Sequence, residues 1–190
     1  MQEVMTLTEY KKTAFGVQAF IFAFPLVSKI FDHHSPVPFP PIGDDSTTWR
    51  FFAVLIIGAS ALLPYVLLPV KRRRLVIGCL FALFVVSSAI YLSKNSTYVV
   101  PVPRPNGTIR YVTRGTTRIP TLREPYASMS DTELVYQSGQ SDSDLEHAYT
   151  KESLRANRQT LFWWYVLSLV LLEFMVGSFA LSDRSTTAPR

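Results

Sequence analysis

Residues 51–92 read FFAVLIIGASALLPYVLLPV, then KRRR, then LVIGCLFALFVVSSAIYL. Neither apolar run carries a charge, and at about 1.5 Å of rise per residue each is long enough to cross a hydrocarbon layer about 30 Å thick. A water-soluble core rarely needs two such blocks separated by consecutive cations, whereas a membrane helical hairpin is built that way. Lys71, Arg72, Arg73 and Arg74 fall where the turn between the spans must lie. Basic clusters of this kind stay in the cytoplasm, so the tetrad sets the expected orientation, although a lipid-phosphate site is a second use for it.

Outward from this hairpin the pattern repeats. Residues 161–181, LFWWYVLSLVLLEFMVGSFAL, carry Glu173 as their only charge. Residues 13–31, TAFGVQAFIFAFPLVSKIF, are interrupted by Gln18 and Pro25 and end beside Lys29, which must snorkel to the interface. This block is read as a further crossing, against the competing reading of a re-entrant or interfacial helix. Four crossings put Lys11, Lys12, Arg184 and Arg190 on the tetrad's side, with both termini cytoplasmic. Glu3 and Glu9 precede the Lys pair and no small-residue cleavage site follows the first block, which argues against a removable signal peptide. Cys79, the only cysteine, lies inside an apolar run and forms no intrachain disulfide.

The expected fold is therefore all-α integral membrane with four transmembrane helices and a small α+β extracytoplasmic insertion between the third and fourth. A membrane domain covers 1–93, with spans at about 13–31, 51–70 and 75–92; a module covers 94–149; a long helix and a cytoplasmic tail cover 150–190. The proline-rich segment 32–50 reads as an extended strap. In the module, two β-prone runs flank Pro105-Asn106-Gly107 and predict a hairpin, with Pro101 and Pro103 confining the first strand to an edge. Ser130 with Glu133, and Ser143 with Glu146, have the spacing of capping boxes, and Thr150 can cap a helix that continues unbroken into the last span.

A carboxylate in mid-span is expensive, by about 2.5–3.5 kcal/mol for the comparable Asp, so Glu173 must face protein or water. It reads as a pore-lining group or, more plainly, as a group locking one helix to another. Gln18 can hydrogen-bond Glu173 or its own copy in a neighbouring subunit, while Gly177 and Ser178 allow close helix approach. Trp163, Trp164 and Tyr165, with Trp49 at the matching end of the second span, form an interfacial aromatic belt. Arg104, Arg110, Arg114, Arg118 and Arg123 alternate with tyrosines, but an extracytoplasmic module has no nucleic acid to bind. Lipid headgroups or acidic groups such as Asp131 are the better partners. Asp32, His33 and His34 are adjacent and diverge, no nucleophile with a base can be assembled, and the scattered glycines build no phosphate loop. No catalytic residue, metal, cofactor or small-molecule substrate is expected. The expected partners are membrane lipids and either further copies of this chain or other membrane subunits.

The stretch LEHAYTKESLRANR, residues 145–158, running directly into an apolar helix, resembles the juxtamembrane segment of small bacterial membrane proteins, some encoded beside anti-phage defence genes. With the basic turn, the third span and the Asn-Gly hairpin, the likeness covers about a third of the chain. It implies a bacterial inner-membrane effector that self-associates and perturbs the membrane, by a pore or otherwise. No sensor domain accompanies it.

Overall fold

A computed structural model describes residues 40, 41, 46–60, 64, 73–103, 107, 109–122, 124–139 and 141–183. The block 13–31 with Gln18, Lys71 and Arg72 of the tetrad, and the tail beyond Asp183 lie outside the described residues. In chain order the elements are α1 (Ser46–Ser60), α2 (Arg73–Tyr98), β1 (Val99–Pro103), β2 (Ile109–Thr113), α3 (Asp131–Ser138), α4 (Asp142–Leu145) and α5 (Lys151–Asp183). The described chain is mostly helical, with one antiparallel pair of strands.

Against the expected four crossings, two described helices are long and apolar enough to span a membrane, over Leu75–Tyr98 and Lys151–Ser178. Of the 51–70 block, residues 51–60 and 64 are described; 51–60 form the second part of α1, a helix of 15 residues. α2 exceeds its sequence boundary, whereas α5 follows the expected course from Thr150 into the last apolar run. α2 runs to Tyr98, past the end expected at residue 92, because Ser93, Ser96 and Thr97 are polar without being helix breakers. α5 extends 33 residues, about 50 Å, since nothing between Lys151 and the apolar run interrupts its hydrogen bonds.

The chain divides into two compact units. The first takes in Phe51–Ser88 and Val166–Arg190, together with Met1–Phe39. Its defining feature is what α2 leaves uncovered: Leu75, Phe81, Leu83, Val85 and Val86 are exposed, and only 11 % of the helix's apolar window is buried. The core helix of a soluble protein would be mostly buried; this surface is suited to contact with hydrocarbon or with another apolar helix.

The second unit comprises Pro40–Arg50 and Ala89–Tyr165. Its hairpin pairs Val99 with Thr113, Val100 with Val112 and Pro103 with Ile109. Strand alternation turns Val100 and Val102 inward and leaves Pro101 and Pro103 exposed, where their missing donors cost no ladder bond. Gly107, in the connection, has φ +78°, which a side chain would disfavour. The buried valines pack with Leu134 and Val135 of α3, Leu145, Ala148 and Leu154, and Leu122 and Met129 close the margin. Each such aliphatic side chain removed from water contributes about 1.5–3 kcal/mol, enough for a small module once several combine.

Ser130 and Glu133 form the expected capping box: the Glu133 amide donates to Ser130 Oγ at 3.3 Å and the Ser130 amide to Glu133 Oε2 at 3.0 Å. The second box is displaced from the expected pair. Ser141 and Asp144 form it, at 3.2 Å in both directions, while Glu146 instead pairs with Lys151 at 2.9 Å. Both Ser-x-x-acid spacings were available in SDSDLE, and Asp144 at the earlier one reaches back as well as Glu would. Hydrogen bonding to Ser130 and to Ser141 holds the Glu133 and Asp144 carboxyls below their ordinary values. Thr150 Oγ1 accepts from the Ser153 amide at 3.4 Å, capping α5 as expected.

Candidate functional site

In the first unit the polar side chains of the apolar helices are drawn together. Glu173 is 3 % exposed on α5, and its Oε2 accepts from Ser60 Oγ of α1 at 2.9 Å. The same hydroxyl lies 2.7 Å from the Ile57 carbonyl one turn earlier, the back-bonded position that lets Ser reside in an apolar helix. On α5 Ser168 Oγ donates to Ser87 Oγ of α2 at 3.2 Å, with both residues buried. Ser178 is fully buried and donates to the Phe174 carbonyl at 2.5 Å; Gly177 beside it is half-buried. Thus α5 holds α1 through a carboxyl and α2 through a hydroxyl. Such bonds contribute about 0.6–1.7 kcal/mol each in membrane proteins. Ser60, Ser87 and Ser168 were missed by sequence reasoning; the available signal was their isolation inside apolar runs.

In the second unit the residues flanking those helices converge on one level. Trp49 and Phe162 meet edge to face at 4.7 Å between ring centres, and Tyr91 and Tyr165 lie 5.6 Å apart, both tyrosines buried. Trp163 is 55 % exposed and Trp164 half-buried. The belt therefore divides: Tyr165 and Tyr91 join α5 to α2, while Trp163 faces outward.

Beyond this level a polar latch organises the module. The Asp131 carboxylate, at the first turn of α3, pairs with Arg114 and with Arg118, the latter at 2.9 Å, and accepts from the Tyr149 hydroxyl at 3.0 Å. Arg118 also donates to the Ala127 and Met129 carbonyls, and Arg114 to the Thr97 carbonyl. Burial raises the Tyr149 phenol above its usual value, partly opposed by Arg118 and Arg114, so it remains a donor at neutral pH. Asn157 Nδ2 of α5 donates to the Arg114 carbonyl at 2.8 Å, and the Thr150 amide to the Thr117 carbonyl at 3.0 Å. Arg114 and Arg118 are thus held by an acidic group inside the module. Arg110 is half-exposed on β2, and Arg104 and Arg123 lie outside the described residues.

Arg73 and Arg74 open α2, and their side chains are outside what the structure describes. Among the described residues no group of three or more His, Cys, Asp or Glu could hold a metal ion, and His147 is exposed. Asn95, in an Asn-Ser-Thr glycosylation pattern, lies within α2 and is half-buried, a poor acceptor geometry. No protein-family model matches the chain, nor does any curated protein or solved structure.

Proposed function

We propose that this chain is a non-enzymatic integral membrane protein that acts by assembling its spans with further copies of itself, and that ion permeation or membrane disruption is the output of the assembly. One observation carries this: the exposed apolar residues of α2, Leu75, Phe81, Leu83, Val85, Val86 and Leu92, which the described residues of one chain leave uncovered. In the proposed topology the segments 13–31 and 51–70 complete four crossings, and the basic tetrad lies in the cytoplasm of a bacterial cell. Residues 94–149 stand on the extracytoplasmic face and the C-terminus is cytoplasmic. Glu173 is enclosed within one chain against Ser60, which favours a helix lock over a pore-wall carboxylate.

The second reading is an accessory subunit of a larger membrane complex, in which the same α2 surface meets foreign helices. Native mass spectrometry in detergent separates the two. A single closed multiple of the 21.5 kDa chain supports self-assembly, and a mixed mass supports the accessory role. Liposome flux from the purified chain tests the output, and its absence from a stable homo-oligomer rules out the pore. Cysteine labelling from outside intact cells tests orientation: a cysteine at Gly107 reacts and one at Arg73 is protected, and the reverse pattern inverts the topology.

A further inference from the structure

The outer ends of the apolar helices carry Arg50, Lys94 and Arg158, and contacts inside the second unit bring these residues to a common level. α2 and α5 run antiparallel there. Tyr91 meets Tyr165, and Arg114 donates from its side chain to the Thr97 carbonyl while its own carbonyl accepts from Asn157. Interpolating between the 91/165 and 97/157 pairings puts Lys94 opposite Leu161, the residue before Phe162. Phe162 in turn touches Trp49, the residue before Arg50, and Arg158 lies one turn outward of Phe162. All three cations therefore fall within about one to two helical turns along the axis. Lys94 is held there by Tyr98, with Nζ 3.5 Å from the phenol oxygen and 5.5 Å from the ring centre. Directly inward are Leu92 and Trp163, both exposed and both suited to acyl chains and the interfacial layer. Asp131 of the module is engaged by Arg114 and Arg118.

We infer that this collar binds the phosphate of anionic phospholipids, with Arg50, Lys94 and Arg158 around the headgroup and Leu92 and Trp163 beside the acyl chains. It holds only for a chain embedded in lipid, as proposed above. Anionic lipid gives each interfacial cation a gain equivalent to roughly fivefold in local affinity.

The three tryptophans of the chain, Trp49, Trp163 and Trp164, all lie at this level and serve as built-in probes. The full chain is reconstituted into vesicles of mixed phosphatidylcholine and phosphatidylglycerol, with acyl-chain bromination on one lipid at a time. Brominated phosphatidylglycerol should quench tryptophan emission several-fold beyond its mole fraction, and excess inorganic phosphate at constant ionic strength should leave that excess in place. Quenching by both lipids in proportion to mole fraction overturns the collar while leaving the membrane reading intact; no quenching by either overturns the membrane reading first. Displacement by inorganic phosphate overturns the assignment to lipid. Arg50→Gln with Lys94→Gln should abolish most of the excess, and Arg158→Lys should retain it. Because the lipid comparison uses the unaltered chain, the collar stays testable even if a variant fails to fold.

Discussion

Replacing Asp131 by Ala should loosen the module without disturbing the long helices. The carboxylate receives two guanidinium groups and one phenol, with side-chain exposures of 30 % for Asp131, 25 % for Arg114 and 32 % for Arg118. A hydrogen bond to a charged group contributes about 1.5–3 kcal/mol when buried. At this partial exposure about half survives solvent screening, so two such bonds plus a neutral one give a loss of about 2–4 kcal/mol. The amides that report the loss are those of Arg114, Ile119 and Thr150, which donate to Tyr98, Ala148 and Thr117 across the module. Hydrogen–deuterium exchange on the full chain in detergent should show them exchanging roughly 30- to 700-fold faster, since every 1.4 kcal/mol is a factor of ten. Amides in the middle of α2 should be unchanged. Exchange at the three reporters within threefold of the unaltered chain would refute the latch and leave the valine core as the sole organiser.

Other outcomes follow from the same contacts. Gly115→Ala should cost about 1–3 kcal/mol by the same exchange measurement, because its new methyl would lie 2.5 Å from both Ser153 Oγ and Tyr149 Cβ. Ser60→Ala removes the hydroxyl facing Glu173 and should destabilise the helical part by about 1–2 kcal/mol, whereas Glu173→Gln, able to keep that contact, should cost less; denaturation in mixed micelles ranks the pair. The lowered Glu133 and Asp144 carboxyls contribute stability that is present above their unfolded values and lost as pH falls through the lower folded ones. Protection of α3 should therefore decline on acidification, and Ser130→Ala should flatten that decline.

The long helices were legible because uninterrupted apolar runs have few alternatives, and the hairpin because Asn-Gly between β-prone runs combines a turn with two strands. The register of α4 was misread, since Ser141-Asp142-Ser143-Asp144 and Ser143-Asp144-Leu145-Glu146 offer the same cap chemistry two residues apart and only packing of Leu145 chooses. Asp131 could be named as an acidic partner, but its meeting with Arg114, Arg118 and Tyr149 depends on chain closure between residues far apart in sequence. The same holds for Ser60 with Glu173, 113 residues apart, where sequence marks the costly group but not what answers it.

The most direct test of membrane residence uses the chain's own Cys79, exposed on α2 within the apolar run. In water an exposed thiol forms thiolate and reacts readily; in hydrocarbon it does not. After alkaline washing, the chain should remain in the membrane pellet, with Cys79 refractory to a charged, membrane-impermeant maleimide until the bilayer is dissolved and the chain denatured. Release of the chain by the wash, or prompt labelling of Cys79 in the intact membrane, would contradict the account.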